Sequence, residues 1–280
     1  MGRARAGAGT AVTVACALAC GRSEAPRDAA LQGDDAATRG SAESAVSAAA
    51  SAPPPRRVRH DSVRVTVTGG PGDDWVMHES APLVEPSTEP RPVTVLLHAL
   101  CADDYWTCDW LQYFAMAPQW QLCPRAPVAC GGGGYQWTAP AAVTRRLLEQ
   151  SVATAEAAHG DQVRQGSVVL AGFSQGAFAV ATVVHDLAGH PGSPLHVRGV
   201  LVQGAPVHFA AADLVHLGAR VALVAGELDA AAPAMRAEAA SLARAGVEAR
   251  YVSLGKDEGH FISVTTGAVV ASLVDWALGE

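Results

Sequence analysis

Charge is scarce in this sequence. Asp, Glu, Lys and Arg make up 17% of its 280 residues and leave a formal net charge of −7. Nucleic-acid binders need clustered Lys and Arg for phosphate contacts, so the composition argues against that class. Long apolar runs are also missing. None reaches the roughly 18–20 residues of a membrane-spanning helix. No internal repeat is visible. No CxxC pair and no neighbouring paired histidines accompany the cysteines, which speaks against a zinc site. What is abundant is apolar residue, 49% of the chain. That suits one well-buried domain of about 200–250 residues with segments to spare.

The spare length lies at the N-terminus. Arg3 and Arg5 precede a small apolar stretch, and polar chain resumes after Cys20. This is the charge–apolar–small-residue order of a secretory signal. The run Ala17-Leu18-Ala19-Cys20-Gly21 resembles a bacterial lipoprotein signal, with Ala17 where Leu is preferred. Cys20 is therefore a candidate lipid anchor, with an ordinary cleaved signal as the alternative. Residues 21–60 are rich in Ala, Ser, Asp and Pro and have too few large apolar side chains to offset the entropy of ordering. The expected organisation is a signal segment at 1–20, a disordered tether at 21–60 and a folded domain at 61–280. The chain is expected to be exported, to the cell envelope or beyond it, and to meet a membrane only through that anchor.

Six cysteines are present. Cys16 and Cys20 fall in the signal, and Cys101, Cys108, Cys123 and Cys130 crowd into one region. In an exported chain such a cluster points to two disulfides, with three pairings open.

Along the domain, short β-branched runs alternate with Ala-rich amphipathic stretches. Strands are expected near 62–68, 93–97, 120–123, 167–171, 197–202, 220–225 and 249–254. Helices are expected near 105–116, 141–158, 175–187, 210–217, 233–245 and 260–278. Short strands alternating with helices imply an α/β domain with a doubly wound, mostly parallel sheet. Ligands bind such sheets beyond the carboxyl ends of the strands.

Gly172-Phe173-Ser174-Gln175-Gly176 lies at one such end, between an expected strand and an expected helix. A serine on this tight turn projects its hydroxyl above the sheet, at a helix N-terminus that favours negative charge. In that context Ser174 reads as a nucleophile; the bland alternative is a glycine-rich packing turn. A serine hydroxyl needs a base, and the base needs an orienting acid. Chain order places both after the serine. His260 follows the last strand and opens the final helix. Asp229 follows the strand 220–225, with a helix N-cap as its alternative role and Glu227 in reserve. Acyl transfer also needs oxyanion donors. The backbone N–H of Gln175 should be one, and that of Leu100, in the loop after strand 93–97, the other, with Ala99 and Cys101 as the alternatives. The glycine-rich stretch 130–137 should lie at the pocket rim, with Tyr135 and Trp137 as a substrate-binding apolar wall; a mobile surface loop is the alternative.

With its loop His98-Ala99-Leu100, its segment Cys123–Pro127, its pentapeptide 172–176, Gly226–Asp229 with Pro233, and Gly259-His260, the sequence resembles the α/β-hydrolase superfamily. Within it, the likeness is to the dienelactone hydrolase and phospholipase/carboxylesterase-like group. The resemblance spans about 93–280. Ala99 stands where that group has glycine, and the clustered cysteines and export signal are not typical of its cytosolic members. The resemblance implies an α/β-hydrolase fold and a serine esterase of small soluble esters or thioesters that needs no cofactor. A serine peptidase of the same fold and a non-catalytic, hydrolase-like binding lipoprotein are the alternatives.

Overall fold

The computed structural model describes residues 62–67, 69, 75–82, 89–102, 119–261 and 267–279, the first five of the last stretch by backbone alone. All lie within the unit Pro55–Glu280. The signal and tether, Cys20, Cys108 and the expected helix at 105–116 fall outside the described residues.

The strands are β1 (Val63–Thr66), β2 (Val76–Ser80), β3 (Arg91–Leu97), β4 (Trp120–Pro124), β5 (Val128–Ala129), β6 (Tyr135–Gln136), β7 (Val163–Phe173), β8 (Val197–Gln203), β9 (Arg220–Ala225) and β10 (Ala249–Ser253). The helices are α1 (Ala141–His159), α2 (Gln175–Ala188), α3 (Ala211–Leu217), α4 (Ala232–Arg244) and α5 (Gly267–Leu278). Eight strands form one sheet in the order β1-β2-β4-β3-β7-β8-β9-β10, and β5 and β6 form a separate hairpin. From β4 to β10 every pairing is parallel. β2 runs antiparallel to both β1 and β4.

The apolar runs of the central strands explain their place. Val93, Val95 and Leu97 of β3, Leu170 of β7, Val200 and Val202 of β8 and Leu223 of β9 point to one face. There they meet Leu147 and Leu148 of α1, Val180 and Val183 of α2 and Met235 of α4. The alternate residues Leu96, Val169, Ala171, Leu201, Ala222 and Val224 point to the other face, against Leu273, Val274 and Ala277 of α5. A strand buried on both faces needs apolar side chains at every position, which is why these runs lack alternation. Among the described residues, no helix is long and apolar enough to cross a membrane.

Several elements differ from expectation: the β5–β6 hairpin is unexpected, and β7 begins at Val163 rather than 167. Strand β2 has no counterpart in the sequence reading, because His78 and Glu79 break its apolar character. All five of its residues are nevertheless buried. The Glu79 carboxylate is matched by the His159 ring at the end of α1, which stacks on Trp120 with centroids 4.0 Å apart. That ion-pair partner lies 80 residues away in the chain. The final helix begins at Gly267, so His260 does not open it but stands in the irregular segment before it.

Leu170 is fully buried at the centre of the sheet. Leu170→Ala is expected to cost about 2–5 kcal/mol. Urea unfolding should show this as a lower midpoint at unchanged slope.

Candidate active site

Strand β7 ends at Phe173 and α2 begins at Gln175, so Ser174 alone makes the turn. Its φ of +54° is left-handed, a conformation costly for any residue with a Cβ. The turn survives because its neighbours hold it. Ser174 N–H donates to Gln203 O at 2.9 Å, and Ser174 O accepts from Ala177 N–H at 3.1 Å. The glycines on either side allow backbones to touch. A Cβ on Gly176 would stand 1.9 Å from Leu97 O, and one on Gly172 would stand 2.5 Å from Gly176 O. The first turn of α2 is thereby pressed against the end of β3, beside the loop His98-Ala99-Leu100.

Asp229 and His260 come from the segments after β9 and β10. His260 Nδ1 and Asp229 Oδ2 are 3.0 Å apart. The other carboxylate oxygen of Asp229 accepts from Ala231 N–H at 2.9 Å, on the approach to α4. The turn-holding and imidazole-facing roles are thus both filled, one oxygen each. The two loops are tied by backbone bonds: Glu227 N–H to Gly255 O at 3.0 Å and Leu228 N–H to Glu258 O at 2.9 Å. Asp229 is buried, whereas the His260 side chain is 40% exposed. Glu227, the reserve acid, is spent elsewhere. It takes two hydrogen bonds from Arg236, at 3.0 and 2.9 Å. Hydrogen bonds from Ser253 and then Arg236 hold its carboxyl below the usual range. The other histidines after Ser174 are also engaged or remote: His208 pairs with Glu238 and His185 with Asp213.

Ser174 and His260 line one pocket of about 370 Å³ with Ala99, Leu100, Ala102, Phe173 and Phe261. Its walls are aliphatic and aromatic. The Phe173 ring packs against His260 at 5.0 Å and against Phe261 at 5.9 Å. Ser174 and His260 make no hydrogen bond with each other. Gln175 is the first residue of α2, and Leu100 lies in the loop after β3 on the pocket wall.

The loop after β3 is held by His98, which is buried. Ala126 N–H can only donate, and it points at His98 Nε2 at 3.0 Å. Nε2 therefore carries no proton, and Nδ1 donates to Ala99 O at 2.8 Å. Sequence reading treated His98 as part of a motif, without seeing that it is a neutral strut. Tyr135 and Trp137 do not line the pocket, contrary to expectation. Trp137 is buried, because its indole N–H donates to His98 O at 2.9 Å. Tyr135 lies beneath the Arg125 guanidinium, 4.4 Å from ring centroid to Cζ. Of the four clustered cysteines, Cys101 and Cys130 form a disulfide. Cys123 is disulfide-bonded to a partner outside the described residues.

Gly204 is a site residue that sequence reading missed. It follows β8 with φ +66°, and an added Cβ would lie 3.0–3.2 Å from His260 Cε1, His260 Nδ1 and Asp229 Oδ2. Gly204→Ala would combine left-handed strain of about 1–2 kcal/mol with pressure on that pair. Any ester hydrolysis dependent on Ser174 should fall roughly 10- to 100-fold, as misplacements of about 1 Å do. Steady-state kinetics on the folded variant checks this.

No protein-family model and no curated protein matches the sequence. Solved structures do. A carboxylesterase from Mesorhizobium loti shares 18% identity at a TM-score of 0.52, over 76% of this chain and 98% of that one. A fungal esterase from Rhizomucor miehei shares 12% at a TM-score of 0.60, over 80% and 84%. A hyperthermophilic esterase from the archaeon Pyrobaculum calidifontis shares 13% at a TM-score of 0.57, over 79% and 83%. With its strand order, the serine turn after β7 and these neighbours, the chain has the α/β-hydrolase fold.

Proposed function

We propose that this chain is a serine hydrolase of small carboxylic esters or thioesters. The observation that carries the reading is the 3.0 Å contact between His260 Nδ1 and Asp229 Oδ2, with His260 on the same pocket wall as the strained Ser174. Ser174 Oγ attacks the acyl carbon while His260 Nε2 takes its proton. Asp229 fixes the imidazole with Nδ1 protonated, so Nε2 faces the serine, and stabilises the imidazolium that forms. The tetrahedral oxyanion sits between the N–H groups of Gln175 and Leu100, each worth about 3–4 kcal/mol of barrier. His260 returns its proton to the leaving alcohol or thiol, and an acyl-enzyme remains on Ser174. Water, deprotonated by His260, then releases the acid. The names of the structural neighbours, esterases throughout the three described, agree with this chemistry.

A fluorophosphonate probe is expected to label the wild-type chain and not Ser174→Ala. Ser174→Ala should lose about 10⁵-fold or more of ester turnover, and Asp229→Asn about 10⁴-fold. An unlabelled wild-type chain would sink the enzyme reading and favour a binding lipoprotein, whereas unchanged labelling of Ser174→Ala would move the nucleophile away from Ser174. Turnover of peptide amides in preference to esters, over a panel of acyl chains, would favour the peptidase alternative.

We further propose that the chain is exported and carries lipid on Cys20. The charge–apolar order at 1–20 supports this, and so does the Cys101–Cys130 disulfide, since such bonds persist in oxidising compartments. A palmitate analogue fed to cells expressing the full chain should label it, and Cys20→Ala should abolish the label. Labelling that survives Cys20→Ala would overturn the anchor.

A further inference from the structure

The two oxyanion donors proposed above belong to different loops, one after β3 and one after β7. One segment outside both loops touches both. Trp137 donates its backbone N–H to Gln175 Oε1 at 3.0 Å and its indole N–H to His98 O at 2.9 Å. A single residue thus grips the serine turn with its main chain and the Leu100 loop with its side chain.

The β5–β6 hairpin just before Trp137 fastens the same loop further along. Tyr135 N–H donates to Ala102 O at 3.0 Å. The Cys101–Cys130 disulfide joins the residue after Leu100 to the end of β5, with the Cα atoms 5.6 Å apart. Gly134 lies flat against Cys101, where a Cβ would stand 2.0 Å from its carbonyl oxygen. Apart from Ser174, Cys101 is the one non-glycine residue with positive φ among the described residues, at +53°. Left-handed backbone at such a residue persists only where the surroundings enforce it.

We propose that segment 128–137 is a clamp that sets the spacing of the Leu100 and Gln175 N–H donors, with Trp137 as its positioning residue and the Cys101–Cys130 disulfide as its redox-sensitive fastening. The proposal rests on the esterase reading above. Oxyanion donors act only within about 2.7–3.1 Å of the developing charge. A loop released at Cys101 keeps its sequence but not that distance. Because the charge develops after substrate binds, loosening the clamp lowers kcat and leaves KM nearly unchanged.

The test uses the full chain, with kcat expressed per Ser174 site titrated by fluorophosphonate. Two variants are made, Trp137→Phe and Cys101→Ser/Cys130→Ser. Each is expected to lose roughly 10- to 100-fold in kcat per site, with KM within about twofold. Affinity for a boronic-acid transition-state analogue should weaken by the same factor as kcat/KM. Dithiothreitol supplies two electrons and two protons to the Sγ–Sγ bond and closes to its own cyclic disulfide. It should slow the wild-type chain and not further slow Cys101→Ser/Cys130→Ser. Full kcat per site in either folded variant would overturn the clamp. So would a loss confined to KM or to the number of titratable sites. Equal inhibition of wild type and double variant by dithiothreitol would move the effect to the Cys123 bond and overturn the fastening. If the variants do not fold, wild type reduced until thiol alkylation finds Cys101 and Cys130 free and Cys123 still bonded decides: lost turnover with intact near-ultraviolet circular dichroism supports the clamp, and retained turnover overturns it. A wild-type chain without Ser174-dependent turnover would be a separate result, removing the esterase reading and the clamp with it.

Discussion

Backbone contact between the first turn of α2 and the end of β3 is the constraint on which the site depends. Leu97 O lies where a side chain on Gly176 would have to be. Helix and strand therefore meet without side chains between them. That contact forces Ser174 into a left-handed turn, and it sets Gln175 N–H beside the loop that carries Leu100. The left-handed turn has a cost of about 1–2 kcal/mol. The buried strands β3, β7 and β8 supply the rigidity that keeps it.

Around that turn, neighbouring loops at the carboxyl ends of the strands are tied to one another as well as to the sheet. The loop after β9 bonds to the loop after β10, and this brings Asp229 to His260. The loop after β3 bonds through His98 to Ala126, and through His98 O to Trp137, which in turn holds Gln175. Each functional group is thus placed by a residue from a different part of the chain. Asp229 shows the economy of the arrangement: one oxygen holds the turn into α4 and the other faces the imidazole. Leu100, Phe173 and Phe261 give the pocket apolar walls beside Ser174 and His260.

Much of this was legible in the sequence. Mainly apolar runs without polar alternation marked β3, β7, β8 and β9, because strands covered on both faces bury both sets of side chains. The pentapeptide around Ser174, followed in order by Asp229 and His260, marked three strand ends, and the structure brings Asp229 and His260 into contact beside Ser174. Strand β2 was not legible, because its Glu79 finds its ion-pair partner His159 only after the sheet and α1 have formed. Trp137 was misread as a substrate wall for a related reason. An aromatic residue in a glycine-rich stretch looks the same whether it faces a ligand or a carbonyl oxygen. Gly204 gave no signal among 28 glycines, since its importance lies in what stands over it.

The sequence by itself determined the fold class and marked Ser174, Asp229 and His260 as strand-end candidates in that order, because apolar periodicity and strand-end position are local properties of the chain. Only the tertiary structure decided which cysteine pairs with Cys101, that Trp137 joins two loops, that His98 is neutral and that His260 precedes the last helix rather than opening it. These depend on hydrogen bonds, a covalent bond and close approaches between residues tens of positions apart. No spacing along the chain encodes them. The serine turn itself belongs to both: its residues announced it, and the packing of Gly176 against β3 gave it its shape.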